Sequence, residues 1–350
     1  MAMISSGKAA ILVESRSPLV IDDVQLPSEL LPGQVLVRIL NTTICGAQVN
    51  EIAAAKGPDK FLPHLLGHEA SAVVIETGPG VTHIAPGQAV VLHWRPSLGI
   101  QSVPPVYRWR GERLNAGWVT TFGEYSVVSE NRVTPLPEGL DLRLASLFGC
   151  AVTTAAGVVN NDARVRVGDS IVIFGVGGVG LNIVQFAELA GCYPIVAVDL
   201  VSEKLDMALK RGATHAINGA DLGTLEKAVR DVVGARGAAR VIETTGARTV
   251  IELAYELTHP EGRCVLVGVP TDKVSIYTLP LHFDKVLTGS HGGDARPHLD
   301  IPRLARLCQV GRLSLDGLIT HEFGLEEINE ALDVVRSGSA GRVSLSIGSL

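Results

Sequence analysis

One glycine-rich loop constrains this chain more than any other feature. Gly175-Val176-Gly177-Gly178-Val179-Gly180 follows an apolar run at 170–174 and opens a segment of helical periodicity at 178–190. A second apolar run, 195–198, ends at Asp199, 19 positions past Gly180. Strand, glycine turn, helix and strand in that order make a βαβ unit. Gly175 permits the tight turn, Gly177 and Gly178 let backbone approach a pyrophosphate, and Gly180 lets helix and strand pack closely. The helix start adds unpaired N–H groups and partial positive charge beside Val179 and Gly180. An acid at position 199 accepts hydrogen bonds from ribose hydroxyls and repels a 2′-phosphate, so the unit is expected to prefer NAD over NADP. Lys204, one turn further, is placed to reach the same ribose.

The alternation continues, with helices expected at 203–210, 221–233 and 249–257 and strands at 214–217, 240–243 and 264–268. Repeated βαβ units predict a doubly wound parallel sheet. The first 150 residues read differently, as short strands (9–13, 34–39, 72–75) punctuated by Pro32-Gly33, Gly78-Pro79-Gly80 and Pro86-Gly87. That pattern predicts a β-barrel-like domain. Beyond about residue 293 come two amphipathic helical stretches, 301–308 and 325–336, and a last strand at 342–347. Apolar residues make up 46% of the chain but aromatics only 4%, so Val, Ile, Ala and Gly must build a core of the kind found in buried parallel sheets.

Charge and cysteine usage narrow the setting. A net charge of -6 argues against a nucleic-acid or anionic-membrane surface. The longest apolar stretch, 171–187, is interrupted by glycines, Asn182 and Gln185, so no membrane span is expected, and the N-terminus lacks a secretory apolar core. Five scattered cysteines fit a reducing cytoplasm better than a disulfide framework.

Four residues of the β-rich half carry metal-ligand chemistry: Cys45, His68, Glu69 and Cys150. Two thiolates and an imidazole suit Zn²⁺, and three ligands leave a fourth position for water or substrate. Spacing alone does not gather them, because an arbitrary Cys/His/Cys triple is more often buried thiols and a satisfied histidine. The motifs around them go further. Gly67-His68-Glu69, Pro86-Gly87, Phe148-Gly149-Cys150 with Thr154, the glycine loop, Val198-Asp199 with Lys204 and Gly212-Ala213-Thr214, Gly268-Val269-Pro270 and Gly341-Arg342 occur in an order that resembles the zinc-containing medium-chain dehydrogenase family, the alcohol dehydrogenase superfamily.

The resemblance implies a GroES-like catalytic domain (1–151 and 293–350) split around a Rossmann NAD-binding domain (152–292), with the site in the cleft between them. It implies one catalytic zinc on Cys45, His68 and Cys150, with Glu69 as an exchangeable ligand. Thr154, Val267 and Val269 would lie by the nicotinamide, and Arg342 would pair with the pyrophosphate. The implied activity is hydride transfer between NAD and a small-molecule alcohol or carbonyl. The implied assembly is a homodimer or homotetramer, extended through an edge strand such as 274–277 or 286–287. Two other readings keep the fold: an epimerase or lyase that retains its NAD, and a non-catalytic NAD-binding relative.

Two departures qualify the resemblance. Residues 96–117 contain no cysteine, with Leu98 and Gln101 where the first two would stand, so no structural zinc is expected. Trp94, Tyr107, Trp109 and Trp118 are the candidates to hold that lobe by packing. After Cys45 the usual hydroxyl, carboxylate and imidazole are missing. Ala47 has no hydroxyl, Gln48 no negative charge, and Asn50 cannot act as a base. The proton relay is therefore unassigned, with His64, His93 and Glu69 as candidates. Arg95, Arg108, Arg110 and Arg113, with a single acid among them, suggest a polar or anionic, sugar-like substrate.

Overall fold

The computed structural model describes residues 4–270 and 272–348. It divides into two compact units, Met1–Cys150 with Arg296–Leu350, and Ala151–Ala295.

In the first unit, strands Ser6–Leu12, Val20–Gln25, Val106–Trp109, Glu112–Asn115 and His64–Leu65 form a closed barrel. A second sheet runs Val133–Pro135, Ala89–Leu92, Ala70–Thr77, Gln34–Ile44, Arg342–Ser346, Ile319–Gly324, with Tyr125–Ser129 also paired to Gln34–Ile44. Strand periodicity explains why Gln34–Ile44 is buried on both faces: Val35, Val37 and Ile39 pack with Ala70, Ala72, Val74, Val90 and Leu92, while Leu36 joins Ile11, Val24, Tyr107 and Leu114 on the other side. The C-terminal strand returns to the first half of the chain. Val343 pairs with Ile44 and Ser344 with Thr43, which sets Arg342 beside the residue that follows Ile44.

The second unit is a six-stranded parallel sheet. Ile171–Phe174 is flanked by Ile195–Asp199 and then His215–Asn218 on one side, and by Ala238–Glu243, Thr258–Leu266 and Val286–Gly289 on the other. This is the doubly wound order that the alternation predicted, reversing at the strand that carries the glycine loop. Helices Gly180–Leu189, Ser202–Lys210, Leu222–Val233 and Arg248–Glu256 lie within a few residues of their expected positions. Residues 274–277 are not a strand, contrary to expectation. Their backbone is tied to a helix instead, with Ser275 N donating to Glu252 and Tyr255 Oη donating to the Tyr277 carbonyl. Val286–Gly289 forms the outer edge of the sheet. No single helix among the described residues is long and apolar enough to cross a bilayer.

The cysteine-free stretch is organised differently from the aromatic cluster expected of it. Tyr107 sits in the barrel core with its oxygen accepting from Val127 N, Trp109 donates to Asp22, and Trp118 donates to the Ser102 carbonyl. These rings go separate ways. The hub is Glu130, a buried carboxylate that accepts from Thr82 N, Ile100 N and His83 Nδ1 at 2.7–2.9 Å. Burial pushes its pKa up, but these hydrogen bonds outweigh burial and hold it below the ordinary carboxyl value of 4.5. A depressed folded pKa stabilises the fold above the unfolded value, and that increment is lost as pH falls through the folded value. Glu130→Gln is therefore expected to cost about 1–3 kcal/mol at neutral pH, with the gap to wild type closing on acidification below 4.5. Thermal melts from pH 6 to 3 check this; a gap constant across that range contradicts it.

Candidate active site

Local geometry explains how three distant sequence segments meet. Cys45 ends the strand Gln34–Ile44 and is the N-cap of helix Gly46–Ile52. His68 and Glu69 lead directly into strand Ala70–Thr77, the neighbour of that strand. Cys150 follows the turn Ser146–Gly149. Only glycine fits at 149, because a Cβ there would lie 2.2 Å from the Leu92 carbonyl oxygen and 2.7 Å from Glu69 Cβ. That close approach delivers Cys150 to the other ligands. One ligand atom from each of Cys45, His68, Glu69 and Cys150 lies within 4.8 Å of all the others.

These donors fit a zinc ion. His68 Nε2 and Glu69 Oε2 are buried and have no hydrogen-bond partner, which costs free energy unless something binds there. The hydrogen bond from Cys150 holds the Cys45 thiol well below its ordinary range, helped by His68 and Arg342 against burial; Cys150 is pushed up by the same bond and by burial. Burial opposes charge on His68, but Cys45 beside it raises its pKa overall. Thiols must lose their protons to ligate, so metal binding at such a set depends on pH.

Two supports for this set were not visible in the sequence. Arg342, buried, binds Glu69 Oε1 and Thr43 Oγ1. Burial raises the Glu69 pKa, with Arg342 pulling the other way. Glu69 and Cys45 in turn hold the Arg342 guanidinium charged. Gln48, which lacks the expected charge, still occupies the partner position: its side chain lies 2.5 Å from His68 Nδ1 and accepts from Cys45 N at 3.0 Å. A partner to Nδ1 fixes the orientation of the ring whose Nε2 faces the metal position.

The other relay candidates are placed differently. His93 is fully buried, its Nδ1 donating to the Arg95 carbonyl and its Nε2 accepting from Thr134 Oγ1. Burial lowers its pKa to about 3, so it is a neutral structural histidine with both nitrogens engaged. His64 bonds Asp59 at 2.8 Å and the Leu65 carbonyl, with Glu51 close by. Of the four arginines, Arg108 and Arg113 stand directly across the barrel hairpin from each other. Arg108 bonds the Gly111 carbonyl, Arg110 pairs with Asp22, and Arg113 bonds Asn115, all on or beside the barrel hairpin. Only Arg95 lies over Trp94, the ring facing His68.

In the second unit the glycine loop is tight at its end and open in its middle. A Cβ on Gly180 would lie 1.9 Å from the Gly175 carbonyl oxygen, while one on Gly177 would meet only Lys204 Nζ, at 3.9 Å. Glycine at 180 closes the turn, and the surface at 177 is open beside an ammonium group. Asp199 Oδ2 accepts from Val176 N at 2.8 Å, and Oδ1 accepts from Leu200 N and Val201 N, so the acid also locks the loop to the second strand. Thr154 lies in helix Ala151–Gly157 and is buried, whereas Val269 is 56% exposed. Glu243, missed in the sequence, ends its strand with a buried carboxylate accepting from Thr245 and Gly246 N–H; burial raises its pKa.

A glycine loop of dinucleotide-binding form and a sulfur- and nitrogen-rich ligand set that fits zinc are the two features of a metal-assisted dehydrogenase. Comparison with known proteins makes the family specific. Residues 31–138 match the alcohol dehydrogenase GroES-like domain and residues 178–309 the zinc-binding dehydrogenase domain. S-(hydroxymethyl)glutathione dehydrogenase of Paracoccus denitrificans is 31% identical, covering 96% of this chain and 98% of its own. NDMA-dependent alcohol dehydrogenase of Amycolatopsis methanolica is also 31% identical, over 95% of this chain and 96% of its own. An alcohol dehydrogenase zinc-binding domain protein from Burkholderia ambifaria has the same fold, with a TM-score of 0.88 at 28% identity and coverage of 98% and 99%. The chain belongs to the zinc-containing medium-chain dehydrogenase/reductase family, within the alcohol dehydrogenase superfamily.

Proposed function

We propose that this protein is an NAD-dependent zinc alcohol dehydrogenase or carbonyl reductase. The observation that carries the reading is the convergence of Cys45, His68 and Cys150 with an unpartnered His68 Nε2. When bound, zinc polarises the substrate oxygen and the nicotinamide carries the hydride. The chain's own residues align these groups. The two thiols, His68 and the exchangeable carboxylate of Glu69 present the ligand set, Gln48 orients His68, and the Arg342 guanidinium neutralises Glu69. Gly175, Gly177, Gly178, Val179 and Gly180 are assigned to the pyrophosphate, Asp199 and Lys204 to the ribose, and Thr154, Val267 and Val269 to the nicotinamide. The test is a panel of alcohols and carbonyls assayed with NAD(H). Net NADH formation from an alcohol supports the reading, whereas substrate conversion without net NADH selects the NAD-retaining alternative.

Cofactor choice is assigned to Asp199. Asp199→Asn removes the charge that repels a 2′-phosphate; its single oxygen serves either Val176 N or the Leu200 and Val201 N–H groups, a loss shared by both cofactors, so the ratio is the quantity read. The ratio of kcat/KM for NADP to that for NAD is expected to rise on the order of tenfold; an unchanged ratio contradicts the assignment.

Assembly is read as a dimer or tetramer through the second unit. Among the described residues the outer strand Val286–Gly289 is paired on one side only, and Tyr277, Leu279 and Phe283, which precede it in the chain, are 64%, 48% and 66% exposed. Light scattering is expected to give a multiple of the chain mass, reduced to the monomer by Leu279→Asp with Phe283→Asp. A monomeric wild type refutes this.

A further inference from the structure

One side chain serves two backbone and ligand groups at the metal set. The Gln48 amide oxygen accepts the Cys45 N–H, the N-cap of helix Gly46–Ile52, and its NH₂ faces His68 Nδ1. Gln48 is buried, 2% exposed, so water does not take over either role. His68 Nε2 is the nitrogen left for a metal. A neutral imidazole that ligates through Nε2 carries its proton on Nδ1 and needs an acceptor there. An amide has a single oxygen. Whichever way it is turned, one of the two N–H groups, Cys45 N–H or His68 Nδ1–H, meets an NH₂ donor instead of an acceptor. A carboxylate at this position has an oxygen for each.

We propose that Gln48 couples the metal to the helix cap: loading the site draws the amide oxygen from the Cys45 N–H to His68 Nδ1–H, so the metal is held more weakly and exchanges more readily than this ligand set permits. Gln48 is a positioning residue that acts through His68, and the proposal rests on the metal reading above.

The experiment compares zinc release to a chromophoric chelator from zinc-loaded wild type, Gln48→Glu, and Asn50→Asp as a control that adds the same charge elsewhere on the helix. Release from Gln48→Glu is expected to be slower by about tenfold or more, with Asn50→Asp within about twofold of wild type. Equal release from Gln48→Glu and wild type, or equal slowing in both variants, overturns the proposal. Hydrogen exchange in the wild type gives a second readout that needs no variant to fold. The Cys45 amide is expected to exchange faster with zinc than without, although the rest of the site becomes more protected. An amide that is equally or more protected with zinc overturns the coupling. Zinc bound with none of these effects defeats this inference alone; a wild type that takes up no zinc defeats the metal reading with it.

Discussion

Cys45→Ala is expected to abolish turnover, by about a thousandfold or more, while leaving NADH binding intact. The size follows from what is removed. Zinc polarisation of the reacting oxygen is worth several kcal/mol of barrier, and each 1.4 kcal/mol is about tenfold in rate. Cys45 is also the thiol whose pKa is held well below the ordinary value, by Cys150 and then by His68 and Arg342, against burial. Without it Cys150 is the one sulfur left in the set. The glycine loop and Asp199 belong to the Ala151–Ala295 unit, so NADH fluorescence titration should give an unaltered Kd. Near-normal turnover in this variant would refute the ligand assignment, and loss of NADH binding would mean that the variant had damaged more than the metal set.

The largest effect on stability is expected from Arg342→Met. The Arg342 and Glu69 side chains are 5% and 1% exposed, and removing the cation leaves a buried carboxylate with no counter-charge. Breaking a buried ion pair from one side costs about 3–5 kcal/mol, because desolvation of the remaining charge is no longer offset. The double variant Glu69→Gln with Arg342→Met should recover most of that loss. Denaturant melts of chelator-treated protein make the comparison free of metal stabilisation. If the single and double variants are equally unstable, the loss comes from packing of the arginine and not from the charge on Glu69.

Much of this protein is legible in its sequence for a definable reason. Where structure is local, the chain announces it: the glycine loop, the apolar strands at 171–174 and 195–199, and the helices between them follow from period and turn residues within a window of about 20 positions. The four metal-set residues were legible as chemistry, but only resemblance to a family joined them, since spacing does not encode a fold-mediated encounter. What stayed hidden are side-chain pairings across distance. Arg342 reaches Glu69 over 273 positions, delivered by the C-terminal strand pairing with Gln34–Ile44. Glu130 gathers Thr82, His83 and Ile100 by a route no local pattern marks. Gln48 is legible in the sequence only as a missing charge; its hydrogen bonds to Cys45 and His68 exist only in three dimensions. The arginine run was legible only as a count; the hairpin sets Arg108 directly across from Arg113, while Arg110 pairs with Asp22.

The central claim is that two cysteines and a histidine converge to hold one zinc ion. Metal analysis of the purified chain together with zinc-edge X-ray absorption tests it most directly. The expected result is about one zinc per chain in a shell of two sulfurs at about 2.3 Å and nitrogen or oxygen at about 2.0–2.1 Å, with both sulfur signals altered by Cys45→Ala and Cys150→Ala in turn. A chain that purifies and reconstitutes without zinc, or a zinc shell that contains no sulfur, would contradict the account.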